Sequence, residues 1–204
     1  MPILIALRTN SQCNFFRDVV VDTLASGVAE QAVLCSGFFQ ENFKNSQYRA
    51  SLEKGLATAC AKSNVELVTI GVHNGTWKPS YINFQQNMKN AGVNIRCLYK
   101  SRLSWHAKIF IAFRSKRPIL GVIGSSNITR NAFSIGGTFN NECDVYLLPP
   151  RSPVRHIVYA AEDRENGQKL IRSSYSPREN EGMTLADQIQ ELQDRIYSQE
   201  LREL

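Results

Sequence analysis

Two apolar runs, HAKIFIAF (His106 to Phe113) and ILGVIGS (Ile119 to Ser125), are separated by RSKRP alone. Five residues with a proline and three cations suit a hairpin, being too few for the crossover that joins parallel neighbours. These two strands must therefore run antiparallel. Upstream the pattern differs. VLCSGFF (Val33 to Phe39), VELVTIGV (Val65 to Val72) and VNIRCLY (Val93 to Tyr99) are continuous apolar runs, as in strands buried on both faces. Helical spacing fills the intervals, over residues 14–31 with a break near Gly27, over 45–62, and over Tyr81 to Asn90, which Ala91-Gly92 stops. A short helix is expected from near Asn127, and CDVYLL (Cys143 to Leu148) gives a last strand. The expected fold class is α/β, with a mixed, mostly parallel sheet, helices on both faces and a C-terminal helix.

A chain of 204 residues can bury one respectable core. Residues 1–160 read as one domain, ended by Pro149, Pro150 and Pro153; 161–182 read as a polar linker or loop; 183–204 form an amphipathic helix. In that helix Leu185, Ile189, Leu192 and Ile196 make one apolar face, and Thr184 with Asp187 resembles a capping box. The face can pack on its own domain or serve as a short seam with another chain. Five scattered cysteines without a C-x-x-C pair argue against a disulfide framework or zinc site. With no signal peptide or membrane span in the pattern, a cytoplasmic protein is expected. The net charge of +6 makes a polyanion a plausible partner.

His106 and Lys108 are two residues apart on a strand, so their side chains share a face. Lysine is almost never buried without an anionic partner, which suits a site for phosphate. GSSN (Gly124 to Asn127) ends the neighbouring hairpin strand and can lie beside that pair. Gly124 permits a tight turn, and Ser126 or Asn127 can cap the following helix, whose N-terminal N–H groups would favour an anion. Each piece alone also fits an ordinary strand, turn and cap.

H-A-K, then G-S-S-N, then N-N-E (Asn140 to Glu142) resembles the signature of the phospholipase D superfamily of phosphodiesterases. The likeness covers roughly residues 14–150, and SGFF (Ser36 to Phe39) is similar to its nuclease branch, which includes metal-independent restriction endonucleases. The chain departs from the pattern at Phe113, where the family has an aspartate, and in a longer interval between the two motifs. The resemblance implies His106 as nucleophile, with Lys108, Asn127 and Ser125 donating to phosphate oxygens and Glu142 orienting the imidazole. It implies no metal and no other cofactor. The family builds one site from two His-x-Lys motifs, and neither His73 nor His156 is followed by a second such lysine. A homodimer with its site on the two-fold axis is therefore expected.

The substrate expected is nucleic acid, DNA ahead of RNA, gripped by Gly124 and Ser126 and by cations bracketing the motif: Lys100, Arg102, Arg114, Lys116, Arg117 and Arg130. Trp77 and Trp105 are candidates to stack on bases. A phospholipid hydrolase or phosphatidyl transferase is the alternative enzyme, and a non-catalytic nucleic-acid-binding module the alternative outside enzymes. No segment after residue 150 is large enough to be a recognition domain, so the expected protein is a non-specific nuclease, a catalytic fragment, or a subunit that borrows recognition from a separate domain or subunit.

Overall fold

In a computed structural model, residues 2–101, 106–164 and 169–204 are described. Their strands are β1 Ile3–Leu7, β2 Gln31–Ser36, β3 Glu66–His73, β4 Ile95–Ser101, β5 Lys108–Arg114, β6 Arg117–Gly124, β7 Cys143–Leu147, β8 Lys169–Ser173 and β9 Arg202–Glu203. The helices are α1 Phe15–Ala25, α2 Leu56–Ser63, α3 Lys78–Asn90, the single turn α4 Arg130–Phe133, α5 Arg155–Arg164 and α6 Leu185–Tyr197. All the strands join one sheet in the order β8-β1-β7-β6-β5-β2-β3-β4-β9.

The sheet is mixed, but the expectation that it is mostly parallel is overturned. Only β2–β3 and β3–β4 are parallel; the other six ladders are antiparallel. The cause is the hairpin. Ser115 and Lys116 both take left-handed conformations (φ 48 and 62), closing a two-residue turn that matches the strand twist. With β5 seated antiparallel to β2, every strand from there to β8 reverses direction relative to its neighbour. The N-terminal run ILIAL, not assigned as a strand from sequence, lies between β7 and β8 and opposes both.

Alternation along the strands sorts the side chains into two cores. Leu34, Phe110, Ala112, Leu120, Val122 and Tyr146 pack beneath α1, α2, α3 and α5. Val33, Cys35, Ile109, Ile111 and Phe113 face α6 on the other side. Gly71 makes room for the Tyr81 ring, whose hydroxyl pairs with Thr69 Oγ1 at 2.9 Å and donates to the Leu98 carbonyl at 3.1 Å.

The polar stretch 161–182, expected as linker or loop, carries the end of α5 and the edge strand β8. The C-terminal helix begins on a capping box: Thr184 Oγ1 accepts from Asp187 N at 3.2 Å, and the Asp187 carboxylate accepts from Thr184 N at 2.8 Å. Leu185, Ile189 and Ile196 are buried on the sheet, so its apolar face is spent on its own chain. Among the described residues no helix is long and apolar enough to cross a membrane. The five cysteines are free thiols, and only Cys143 is exposed.

Candidate active site

Three neighbouring strands deliver the motif residues to one end of the sheet. Lys108 opens β5 opposite Gly124, the last residue of β6, which in turn lies opposite Asp144 on β7. Ser36 ends β2 on the other side of β5. By alternation Ser36, Lys108 and Asp144 share the face of Leu34, Phe110 and Tyr146, beneath α1 and its neighbours.

His106 is exposed, two residues before Lys108, whose ammonium donates to the His106 carbonyl at 2.5 Å. Asn127 is brought in by a hub not identified from sequence. Ser36 Oγ accepts from Ile128 N at 3.0 Å and Phe38 N at 3.3 Å. Its proton lies between the Phe38 carbonyl at 2.7 Å and Asn127 Oδ1 at 3.3 Å. With its oxygen turned inward, the Asn127 amide nitrogen has no hydrogen bond among the described residues and remains available to donate. Between them sits Gly37. A Cβ there would lie 3.2 Å from Asn127 Oδ1 and 4.0 Å from Lys108 Cε, so glycine keeps open the space that lysine and asparagine flank.

Glu142 accepts from Ser125 Oγ and, at 3.0 Å, from Asn140 Nδ2. The Ser125 oxygen also accepts from Cys143 N at 3.0 Å. Its single proton is therefore committed to Glu142, and Ser125 acts as an anchor of that carboxylate. No hydrogen bond links Glu142 to His106 among the described residues, although its oxygens keep lone pairs for one. Ser125 and Glu142 line a depression of about 350 Å³ with Arg8, Thr9 and Asn141.

Ser126, expected to meet substrate, turns the other way. It is buried, donating from Oγ to Asp144 Oδ2 at 2.6 Å and from N to Oδ1 at 3.3 Å. Burial pushes the Asp144 carboxyl up to about 6; the Ser126 hydrogen bonds oppose this, and the nearby Glu142 charge adds to it. Gly124 is required here, because any Cβ would fall on the Asp144 carboxylate and 2.6 Å from the Cys143 carbonyl. Asp144 escaped the sequence reading, although alternation in CDVYLL places it on the same face as the core residue Tyr146.

Other expectations are corrected. The helix after GSSN starts only at Arg130, has four residues, and its N-cap Thr129 makes no side-chain bond, so neither Ser126 nor Asn127 caps an anion-binding terminus. Arg114, Lys116 and Arg117 sit at the hairpin turn, and Arg117 is seven residues along β6 from Gly124, roughly 24 Å. Lys100 lies on β4, three strands from β5, and donates to Gln199 at 2.9 Å. Arg130 is exposed three residues beyond Asn127, its backbone N–H held by Gln40 Oε1 at 2.9 Å. Arg102 and Trp105 lie outside the described residues. Phe113, standing for the family's aspartate, is buried at the far end of β5 on the α6 face, opposite to that of Lys108. Among the described residues no group of three or more His, Cys, Asp or Glu side chains could hold a metal ion.

No protein-family model matches the sequence, and no curated protein matches it either. Solved structures do. A phospholipase D family member, Nuc from Salmonella typhimurium, aligns with a TM-score of 0.50 and 19% identity over 84% of this chain and 98% of Nuc. Phosphatidylserine synthase from Haemophilus influenzae gives 0.43 and 10% over 96% of this chain and 46% of that one. Yeast tyrosyl-DNA phosphodiesterase gives 0.37 and 14% over 71% and 31%. The chain thus has the phospholipase D-like fold and spans nearly all of Nuc, but under half of the other two, whose likeness is too loose to carry an argument.

Proposed function

We propose that the chain is a metal-independent phosphodiesterase of nucleic acid, DNA ahead of RNA, working as a homodimer. In this reading the His106 imidazole attacks phosphorus and the P–O bond to the leaving group breaks, leaving a phosphohistidine. The leaving alkoxide takes a proton from the imidazolium of a second copy, and water then hydrolyses the phosphohistidine. Lys108 and the Asn127 amide stabilise the non-bridging oxygens as their charge grows. In this mechanism Glu142, held by Ser125 and Asn140, orients the imidazole and fixes its tautomer.

One observation carries the proposal: Lys108 and Asn127 flank the space kept by Gly37, with exposed His106 at the same strand end. A lysine and an asparagine, both able to donate, beside an exposed histidine suit an anionic tetrahedral centre. Phe113 does not weaken the reading, since a side chain there lies at the far end of the strand on the other face. The net charge of +6 suits a polyanion.

The test is incubation in EDTA with plasmid, single-stranded DNA, RNA and phosphatidylcholine, alongside His106→Ala. The proposal requires nucleic-acid cleavage that survives EDTA and disappears in the variant. Cleavage abolished by EDTA, equal activity of His106→Ala, or cleavage of the phospholipid alone would refute it. Sedimentation as a strict monomer would remove the second histidine and refute the dimeric mechanism.

A further inference from the structure

Phe38, Phe43 and Trp77 form an aromatic cluster outside both apolar cores. Phe43 lies parallel on Trp77, with ring centroids 3.8 Å apart and planes at 6°. Phe38 meets Trp77 at 4.6 Å and 36°, which makes a wedge and not a closed stack. All three rings are half-buried, whereas their neighbours Phe39, Tyr81 and Phe84 are buried and belong to the core. The three rings pack on one another and stay partly in water.

Their placement does suggest a use. Phe38 directly follows Gly37, the residue flanked by Lys108 and Asn127, so the rings begin one residue from the proposed phosphate site. The loop bearing Phe43 is firmly held. Buried Glu41 accepts from Ser51 Oγ at 2.5 Å, Ser51 N at 3.0 Å and Asn87 Nδ2 at 2.7 Å. Asn42 and Lys44, on either side of Phe43, take left-handed conformations (φ 49 and 54). The Lys44 ammonium stands 5.3 Å from the Phe43 ring centroid, and Lys44 and Arg49 line an open polar cavity of about 970 Å³ beside it.

We propose that Phe38, Phe43 and Trp77 form a stacking subsite for an unpaired nucleobase next to the scissile phosphate, with the backbone passing Lys44 and Arg49. The inference rests on the phosphodiesterase reading and adds that the substrate is single-stranded. Aromatic faces accept any base, while a duplex keeps its bases stacked on each other. The flanking cations favour a phosphate chain over the other common guest of aromatic clusters, a quaternary ammonium head group.

The experiment uses the full chain carrying His106→Ala, so that nothing is cut. Fluorescence anisotropy would measure its binding to a labelled 12-nucleotide oligothymidylate, to an abasic strand with the same phosphates, and to a duplex of equal length. The subsite predicts that the oligothymidylate binds about tenfold tighter than the abasic strand. Adding Phe43→Ala and Trp77→Ala should bring it down to the abasic level without changing abasic affinity, while Phe43→Tyr with Trp77→Phe restores the difference. A folding defect would weaken both strands together. Equal loss for both strands, no loss for either, duplex bound as tightly as the single strand, no oligonucleotide bound at all, or phosphatidylcholine vesicles bound through these rings would each overturn the subsite. Cleavage by the wild-type chain is scored separately, so failure of the subsite alone is distinguished from failure of the phosphodiesterase reading on which it rests.

Discussion

Asp144→Asn should make the protein more stable at neutral pH and leave it nearly unchanged in acid. Asp144 is 4% exposed, and its carboxylate accepts from both the hydroxyl and the N–H of Ser126. Burial raises it from 3.8 to about 6 in the folded protein. A folded value above the unfolded one means that the native state binds its proton more tightly. Stability from this group is therefore complete below pH 3.8 and is lost as pH rises through about 6. At about 1.4 kcal/mol per factor of ten, the loss by pH 7.5 is roughly 3 kcal/mol. Asparagine has nearly the same shape, keeps an acceptor for Ser126 N and cannot ionise. Urea unfolding at pH 4, 5, 6 and 7.5 follows the effect, because groups other than Asp144 and the neighbouring Glu142 titrate alike in both proteins. The variant's advantage should grow from near zero at pH 4 towards about 3 kcal/mol at pH 7.5. A difference that does not vary with pH, or a variant that loses ground as pH rises, would refute the reasoning.

Gly37→Ala should fold nearly as well as the parent, within about 1 kcal/mol, yet lose at least about tenfold in cleavage, since its methyl enters the space between Asn127 and Lys108. Thermal unfolding and initial rates separate the two effects. Gly124→Ala should be much worse for folding, about 2–3 kcal/mol, because the new atom meets the Cys143 backbone and the Asp144 carboxylate together; a drop in melting temperature measures it. Phe113→Asp supplies the aspartate of the phospholipase D signature but buries an unpaired carboxylate in the α6-side core. It should cost more than about 4 kcal/mol and bring no gain in cleavage, as denaturant titration and rate assays would show.

The motif pair was legible because RSKRP is too short for anything but a hairpin, which forces H-A-K and G-S-S-N to one end of adjacent strands. The same inference misled when applied to charge. Arg114, Lys116 and Arg117 are close to the motif in sequence, but a strand carries them to the opposite end of the sheet. Parallel pairing was overestimated because nothing in the pattern of ILIAL shows that it slots between two antiparallel partners. The β8 segment KLIRS is mostly exposed, so it has no hydrophobic signature and owes its form to pairing with β1. Ser36 looks like any polar residue at a strand end. Its role as a hub depends on Ile128 arriving from 92 positions away, a contact that no local pattern encodes. Asp144 was within reach, since an acid on the inward face of an apolar strand needs a buried partner.

The most direct test of the phosphohistidine mechanism is mass spectrometry of the protein quenched under alkaline conditions during turnover of single-stranded DNA in EDTA. The proposed mechanism predicts an acid-labile nucleotide adduct on His106 that is absent from His106→Ala. Steady cleavage with no adduct, or an adduct on any other residue, would contradict it.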